Sequence, residues 1–177
     1  MNQKRFKKGT VQVLTGNGKG KTTAALGCGL RAAGHGFRVL MIQFMKGRRY
    51  GELDAIKHVP GFDTVQFGRD TFVEKGNPST EDIELARKGF EKAREALGSG
   101  QYDMIILDEL NVAVDYGLIS LDAVLRLIEQ RPPHIELILT GRYAHEKIKA
   151  AAQTVTEMVE VKHHFAAGVQ AREGIEY

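Results

Sequence analysis

One stretch, Gly16-Asn17-Gly18-Lys19-Gly20-Lys21-Thr22-Thr23, limits what this chain can fold into more than any other. Glycine at 16, 18 and 20 leaves the loop without Cβ atoms, so successive backbone N–H groups can close around phosphate oxygens. A helix opening directly after the loop adds the positive end of its dipole. Lys21 brings a full positive charge for phosphates, and the Thr22 hydroxyl suits Mg²⁺. Residues 16–23 are therefore a candidate nucleotide cradle. The pattern G-x-x-x-x-G-K-[ST] asks for glycine where Thr15 stands, and Gly16 follows it. The turn off the preceding strand must differ from the usual one.

Such a loop works only between a strand and a helix. Residues 10–15 are rich in β-branched side chains and predict the strand. Residues 21–33 are mostly Ala, Leu, Gly and Cys, which predicts a helix lying close on a sheet, ended at Gly34-His35-Gly36. Residues 37–44 form a near-continuous apolar run, the mark of a strand covered on both faces. Its polar end, Gln43 through Lys46 and Gly47, projects at the carboxyl edge, where open α/β sheets bind ligands. Met104-Ile105-Ile106-Leu107 then runs into Asp108-Glu109, the form of a Walker B strand. Asp108 or Glu109 at that tip would hold Mg²⁺ directly or through water.

The remaining pattern supplies the frame. A short helix is predicted at 52–58, a strand at 63–67 and a loop at 68–78. Ser79 with Asp82 forms a capping box. Ile83, Ala86, Phe90, Ala93 and Leu97 then mark one face of a helix stopped at Gly98-Ser99-Gly100, with Arg87 and Glu91 pairing on its solvated side. Leu121, Val124, Leu125 and Ile128 predict a third long helix before Pro132-Pro133. Residues 135–140 read as a strand whose end, Gly141-Arg142, turns a cation toward the phosphates. A helix at 144–152 and a strand at 155–161 complete the alternation, and residues 163–177 carry turn residues without a period. Strands alternating with helices imply a mostly parallel sheet joined by right-handed crossovers.

At 177 residues, 42% hydrophobic and 27% charged, the chain fits a basic flexible tail at 1–8 and a single phosphate-loop α/β domain at 9–177. Lys4, Arg5, Lys7 and Lys8 more than account for the formal charge of +3, and no basic stripe with interleaved aromatics follows, so nucleic acid is not an expected partner. The lone Cys28 rules out an internal disulfide and a cysteine-built zinc site, which fits a reducing cytoplasm. No apolar run reaches membrane-spanning length, so a soluble cytoplasmic protein without a membrane partner is expected. His163-His164 reads as a surface or capping pair, because neighbours on a strand point to opposite faces and one ion cannot take both.

Missing features thin the phosphate-loop classes. A guanine-specific switch protein needs an N-K-x-D stretch, and none occurs. A thymidine-kinase-like enzyme carries a cysteine zinc knot, and a strand-exchange recombinase is larger. Small-molecule transferases using ATP survive. Among these, Gly16-Asn17-Gly18-Lys19-Gly20-Lys21-Thr22-Thr23-Ala24-Ala25, Gln43-Phe44-Met45-Lys46-Gly47, Leu107-Asp108-Glu109-Leu110, Thr140-Gly141-Arg142 and the ending from Lys162-His163-His164-Phe165 to Gly174-Ile175-Glu176-Tyr177 together resemble the ATP:corrinoid adenosyltransferases.

That resemblance implies a three-layer α/β sandwich of the phosphate-loop NTPase type, RecA-like, transferring the 5′-deoxyadenosyl group of ATP to a Co(I) corrinoid and releasing tripolyphosphate. It implies that Gly16, Asn17, Gly18, Lys19, Gly20, Lys21, Thr22 and Thr23 hold the triphosphate, with Arg31 from the first helix and Arg142 beside them. Lys21, Thr22 and Glu109 would be catalytic, and Thr22 with Asp108 and Glu109 would serve Mg²⁺. Phe67 and Phe72 are the nearest aromatic candidates for the corrinoid side. Members of the family carry tryptophan there, and this chain has none. A homodimer and an electron-donating flavoprotein are the further partners implied. Attack at C5′ puts growing negative charge on the departing phosphates, which preorganised cations and amides stabilise. The Co(I) nucleophile has no proton to lose, so no general base is needed. Two other classes stay open on sequence: a small-molecule kinase, and an ATP-dependent cofactor-binding or chaperone module.

Overall fold

A computed structural model describes residues 5–177. In chain order the elements are β1 (Val11–Thr15), α1 (Lys21–Gly34), β2 (Val39–Phe44), α2 (Gly51–Ile56), β3 (Phe62–Phe67), α3 (Thr80–Ser99), β4 (Met104–Asp108), α4 (Leu110–Asp115), α5 (Leu121–Glu129), β5 (Glu136–Thr140), α6 (Glu146–Ala151) and β6 (Thr154–Glu157), with a 3₁₀ turn at His164–Ala167. The strands form a six-stranded sheet in the order β3-β2-β4-β5-β1-β6, with every neighbouring pair parallel.

The period of two along each central strand sorts side chains between two cores. Leu40, Ile42, Ile105, Leu107, Leu137 and Leu139 face a layer built from α3, α5 and α6. Val39, Met41, Met104, Ile106 and Ile138 face the layer holding α1. All six residues of β2 are buried, as its apolar run requires.

The small residues of α1 answer to distance. A Cβ on Gly29 would stand 2.6 Å from the Phe62 ring, so only glycine allows this helix to lie so near the sheet. In α3 the capping box is complete: Ser79 Oγ accepts the Asp82 N–H, and Asp82 accepts the Ser79 N–H. Asp82 also takes Arg69 in a two-point ion pair at 2.7 and 2.9 Å.

Several boundaries and contacts differ from expectation. Ile83 is exposed, because Asp82 at the neighbouring position turns inward for the cap and Arg69. Glu91 pairs with Arg94 one turn along rather than with Arg87. Leu110–Asp115 is a helix where the residue pattern predicts no separate element. Glu109 takes a left-handed conformation (φ 61°) and turns the strand directly into that helix, so the apolar run hides the junction. Expected at 155–161, β6 ends at Glu157. Of the basic N-terminal segment expected to be free, residues 1–4 lie outside the described residues. From there the chain is docked: Phe6 stacks on Phe37 at 4.0 Å, and Arg5 donates to the Gly100 carbonyl. No helix among the described residues is long and apolar enough to cross a membrane.

Candidate functional site

The loop after β1 and the tip of β4 are not direct neighbours, because β5 lies between the two strands. Thr140, the last residue of β5, closes the gap. Its hydroxyl donates to Asp108 Oδ1 at 2.6 Å and accepts the Glu109 N–H at 3.0 Å. From the other side the Thr22 hydroxyl, in the first turn of α1, donates to the same Oδ1 at 2.9 Å. The second oxygen, Oδ2, accepts from Lys46 Nζ at 2.7 Å and Gln43 Nε2 at 3.3 Å. Asp108 is fully buried, and a buried carboxylate is tolerable only with this degree of pairing and hydrogen bonding.

Lys21 closes the phosphate loop on itself. Its ammonium donates to the carbonyls of Gly16 and Gly18, both at 2.8 Å, and so ties the two ends of that stretch together. Burial pushes the Lys21 ammonium below the ordinary lysine range, opposed by the charge of Glu109 and reinforced by that of Arg142. For Lys46, burial pushes the same way, but the charge and hydrogen bond of Asp108, with Glu109 and Glu52, outweigh it and raise the value. Burial, then the neighbouring Asp108 charge, push the Glu109 carboxyl up, while Lys46, Lys21 and Arg142 hold it back.

These groups border a cavity of about 520 Å³. Residues 18–23 form one side, Lys46, Tyr50 and Glu52 another, and Glu109 and Arg142 a third. The last side is made by the end of the chain: His163 and residues 174–177. Two contacts bring that end in. Beyond β6 the chain follows the phosphate loop, Met158 N–H donating to the Thr15 carbonyl at 2.9 Å and Gly18 N–H to the Met158 carbonyl at 2.6 Å. A Cβ on Gly16 or Gly18 would stand 2.4 or 2.7 Å from that same Met158 oxygen, so these glycines serve chain packing as well as phosphate access. Farther on, Glu176 pairs with Lys19 at 2.5 Å and Arg172 at 3.2 Å. The Arg172 and Lys19 hydrogen bonds draw the Glu176 carboxyl down to about 2.

The residues singled out by sequence distribute unevenly. Gly18, Lys19, Gly20, Lys21, Thr22, Thr23, Glu109 and Arg142 border the cavity. Asp108 lies beneath it, Gly16 contributes its carbonyl to Lys21, and Asn17 is exposed on the loop. Arg31 is not brought in. It is exposed in the last turn of α1, about 15 Å along the axis from Lys21 at the helical rise. Nor does Phe67 border the cavity: its ring packs into the core against α3, within 3.0 Å of where a Gly89 Cβ would stand. Phe72 is 90% exposed on the 68–78 loop, with the Arg48 guanidinium 5.4 Å from its ring centroid. His163 and His164 stack at 4.3 Å, off any strand, and His163 caps the 3₁₀ turn through Nδ1. The geometry that excluded a shared ion is thus absent, while the capping role expected of the pair is present.

Sequence reasoning passed over Lys46 and Thr140 as individual site residues and over the tail as a wall. Lys46 had a signal, a charged residue two positions past the end of a largely apolar strand. Thr140 had only its place at a strand end. The variant Thr15 also finds a reason, since its hydroxyl accepts the Ala144 N–H at 3.3 Å and fastens the segment after Arg142.

Thr22, Asp108 and Glu109 offer hydroxyl and carboxylate oxygens, the donors Mg²⁺ prefers. Among the described residues no group of three His, Cys, Asp or Glu side chains is assembled for a metal. A divalent ion here would share its coordination with nucleotide oxygens and water, as Mg²⁺ commonly does.

Residues 7–177 match the family described as ATP:corrinoid adenosyltransferase BtuR/CobO/CobP. The chain is 38% identical over 177 residues to the corrinoid adenosyltransferase of Escherichia coli (strain K12), covering 99% of this chain and 89% of that protein. It is 37% identical over 176 residues to the corrinoid adenosyltransferase of Pseudomonas aeruginosa, covering 99% and 87%. Among solved structures it is similar to a KaiC-like protein from the archaeon Pyrococcus horikoshii OT3, with a TM-score of 0.55, 15% identity and coverage of 96% and 77%. It is also similar to the RadB recombinase, with a TM-score of 0.54, 14% identity and coverage of 89% and 78%. These two likenesses carry the fold alone, a RecA-like α/β sandwich.

Proposed function

The chain belongs to the ATP:corrinoid adenosyltransferase family, and from that premise we propose that it transfers the 5′-deoxyadenosyl group of ATP to the Co(I) centre of a corrinoid, releasing tripolyphosphate. The observation that carries the reading at residue level is the meeting of Lys21, Lys46 and Arg142 with the glycine loop around one cavity. Cations and amides so gathered suit a leaving polyphosphate.

In the reaction the cobalt electron pair forms the Co–C5′ bond while the C5′–O bond breaks, and the electron pair of that bond leaves with the triphosphate. Lys21 and Arg142, with the loop amides and the α1 dipole, stabilise the charge as it grows. Thr22 and Asp108, with Glu109, would hold Mg²⁺. That ion supplies electrophilic charge at the departing oxygens. Glu109, kept more basic than an ordinary carboxylate, needs no base role here, because the nucleophile carries no proton. Phe72, exposed beside Arg48, is the aromatic candidate for the corrinoid side. Arg31 and Phe67 are left out of the site. A homodimer, an electron-donating flavoprotein and a cytoplasmic setting complete the reading.

The test is ³¹P NMR of ATP, Mg²⁺ and protein with chemically reduced cobalamin under anaerobic conditions. Tripolyphosphate together with an adenosylated corrinoid is the expected result. ADP without alkylated corrinoid would instead identify a kinase, and binding of both substrates without product a carrier module. Lys21→Ala should abolish product in either enzyme case, which makes it the control for the nucleotide site.

A further inference from the structure

We propose that Lys46 is a polyphosphate-positioning residue whose ammonium holds the divalent-cation position of the ligand-free site and leaves it for the phosphates when Mg²⁺ and nucleotide arrive. The inference rests on the reading above and adds to it a residue and an exchange.

Lys46 Nζ stands 2.7 Å from Asp108 Oδ2 and 3.5 Å from Thr22 Oγ1. Those are two of the oxygens a phosphate-loop protein turns to its metal ion. The ammonium therefore occupies, in charge and place, the ground of the cation. It has none of the rigidity of its neighbours. Gln43 and Thr140 reach Asp108 from strand ends through short side chains, whereas Lys46 does so through a long flexible stem that also borders the cavity.

The backbone beneath it is pinned. Met45 adopts a left-handed conformation (φ 57°). A Cβ on Gly47 would meet the Gly68 oxygen at 2.4 Å, and one on Gly68 would meet the Lys46 nitrogen at 2.3 Å. The segments 45–47 and 68–69 are thus pressed together and Met45 N–H is tied to the Phe67 carbonyl, so the side chain is the part free to move.

A second cation beside Asp108 would face Lys46 as a like charge at short range. The ammonium must then find another anion within reach of its stem. Two are at hand: the polyphosphate bound in the same cavity, and Glu52, which also borders it. The polyphosphate carries the higher charge density, and Glu52 already accepts from Gln43 Nε2 at 3.3 Å, so the polyphosphate is the destination proposed. The result is a trade in which one lysine neutralises Asp108 before binding and phosphate after it.

The experiment uses the full chain with Lys46→Gln and Lys46→Arg. Melting midpoints are measured with and without Mg²⁺ in the absence of nucleotide, and ATP binding by calorimetry in Mg²⁺ and in EDTA. Lys46→Gln should gain a Mg²⁺-dependent rise in midpoint that the unmodified chain lacks. Its MgATP affinity should fall about tenfold, the size of one charge-assisted contact, and Lys46→Arg should recover most of that loss. Equal Mg²⁺ response in the unmodified chain and Lys46→Gln would overturn the occupancy claim. Unchanged MgATP affinity in Lys46→Gln would overturn the positioning claim and send the ammonium to Glu52. If Lys46→Gln does not fold, Lys46→Met takes its place in the same two measurements, with the same expected and overturning results. Failure of the unmodified chain to bind ATP at all would sink the functional reading itself and is distinguished by that control.

Discussion

Two lysine–carboxylate pairs flank the same loop, and they are built in opposite ways. Lys46 meets Asp108 at 2.7 Å on a carboxylate that is wholly buried and fixed by two threonines and a glutamine from neighbouring elements. Lys19 meets Glu176 at 2.5 Å on a carboxylate one residue from the described end of the chain, and the lysine is 43% exposed. A shorter contact is thus the weaker one. In the first pair the carboxylate is shut off from water and three rigid elements set its geometry, so loss of the lysine leaves a buried negative charge without its cation. In the second, solvent and salt screen the pair and the tail can swing away at little cost. The sheet-held pair defines the site; the tail-held pair closes it.

The contrast is broken most violently at Asp108. Asp108→Ala leaves the part-buried Lys46 without its anion and removes the acceptor of Thr22 and Thr140. A loss of about 3–5 kcal/mol in unfolding free energy is expected, the range for breaking a buried pair. Urea unfolding measures it, and a change within the scatter of surface substitutions would mean that the carboxylate is not the anchor described. A double-mutant cycle then sharpens the point. Lys46→Met with Asp108→Asn should show strong coupling in unfolding free energy, because each single change leaves an uncompensated polar group. Lys19→Met with Glu176→Gln should show none above the error of the same measurement.

Next in size is Gly18→Ala, which acts where the two halves touch. The new methyl would stand 2.7 Å from the Met158 oxygen and 2.8 Å from that of Val159. Backbone must move, at a cost of about 1–3 kcal/mol. The tail should also lose protection, so that amide exchange over residues 158–177 rises while that of β4 and β5 does not. Equal exchange in both segments would show the tail to be packed independently of the loop.

How far all this is visible in the sequence follows the same division. The sheet-held half is legible because it is periodic and local. The apolar run at β2, the capping box at Ser79 and the strand ending in Asp108 each need only their neighbours to be read. Lys21 and Thr22 are fixed by spacing within one loop. What is missed depends on order across the sheet. Thr140 matters only because β5 lies between β1 and β4, a fact no stretch of residues encodes by itself. The short helix at Leu110–Asp115 hides behind a single left-handed residue, Glu109. The resemblance alone points to Arg31, and the helical rise carries it away from the loop. The tail has no hydrophobic period, and its contacts with the loop run through backbone atoms of Met158 and Ile175 and the carboxylate of Glu176. Closeness of that kind leaves a trace only in the glycines that permit it.

The smallest effect concerns the tail alone and is read through pH. Glu176 accepts from the Arg172 backbone N–H at 2.8 Å, and its carboxyl is drawn from 4.5 to about 2 by Arg172 and Lys19. Because the folded value lies below the ordinary one, the clasp contributes its full stabilisation above pH 4.5 and loses it as pH falls through about 2. The Arg172 amide should therefore titrate in NMR with a midpoint near the folded value, and the signals of residues 163–177 should approach those of the Glu176→Gln variant on the acid side. Salt works in the same direction, because the partner cations Lys19 and Arg172 are exposed, and raising it should move the midpoint up toward the ordinary glutamate value. A midpoint already at that value in low salt would leave the tail resting on Met158 and the backbone alone. The Lys19 ammonium would then be free for phosphate from the outset, with no anion to give up.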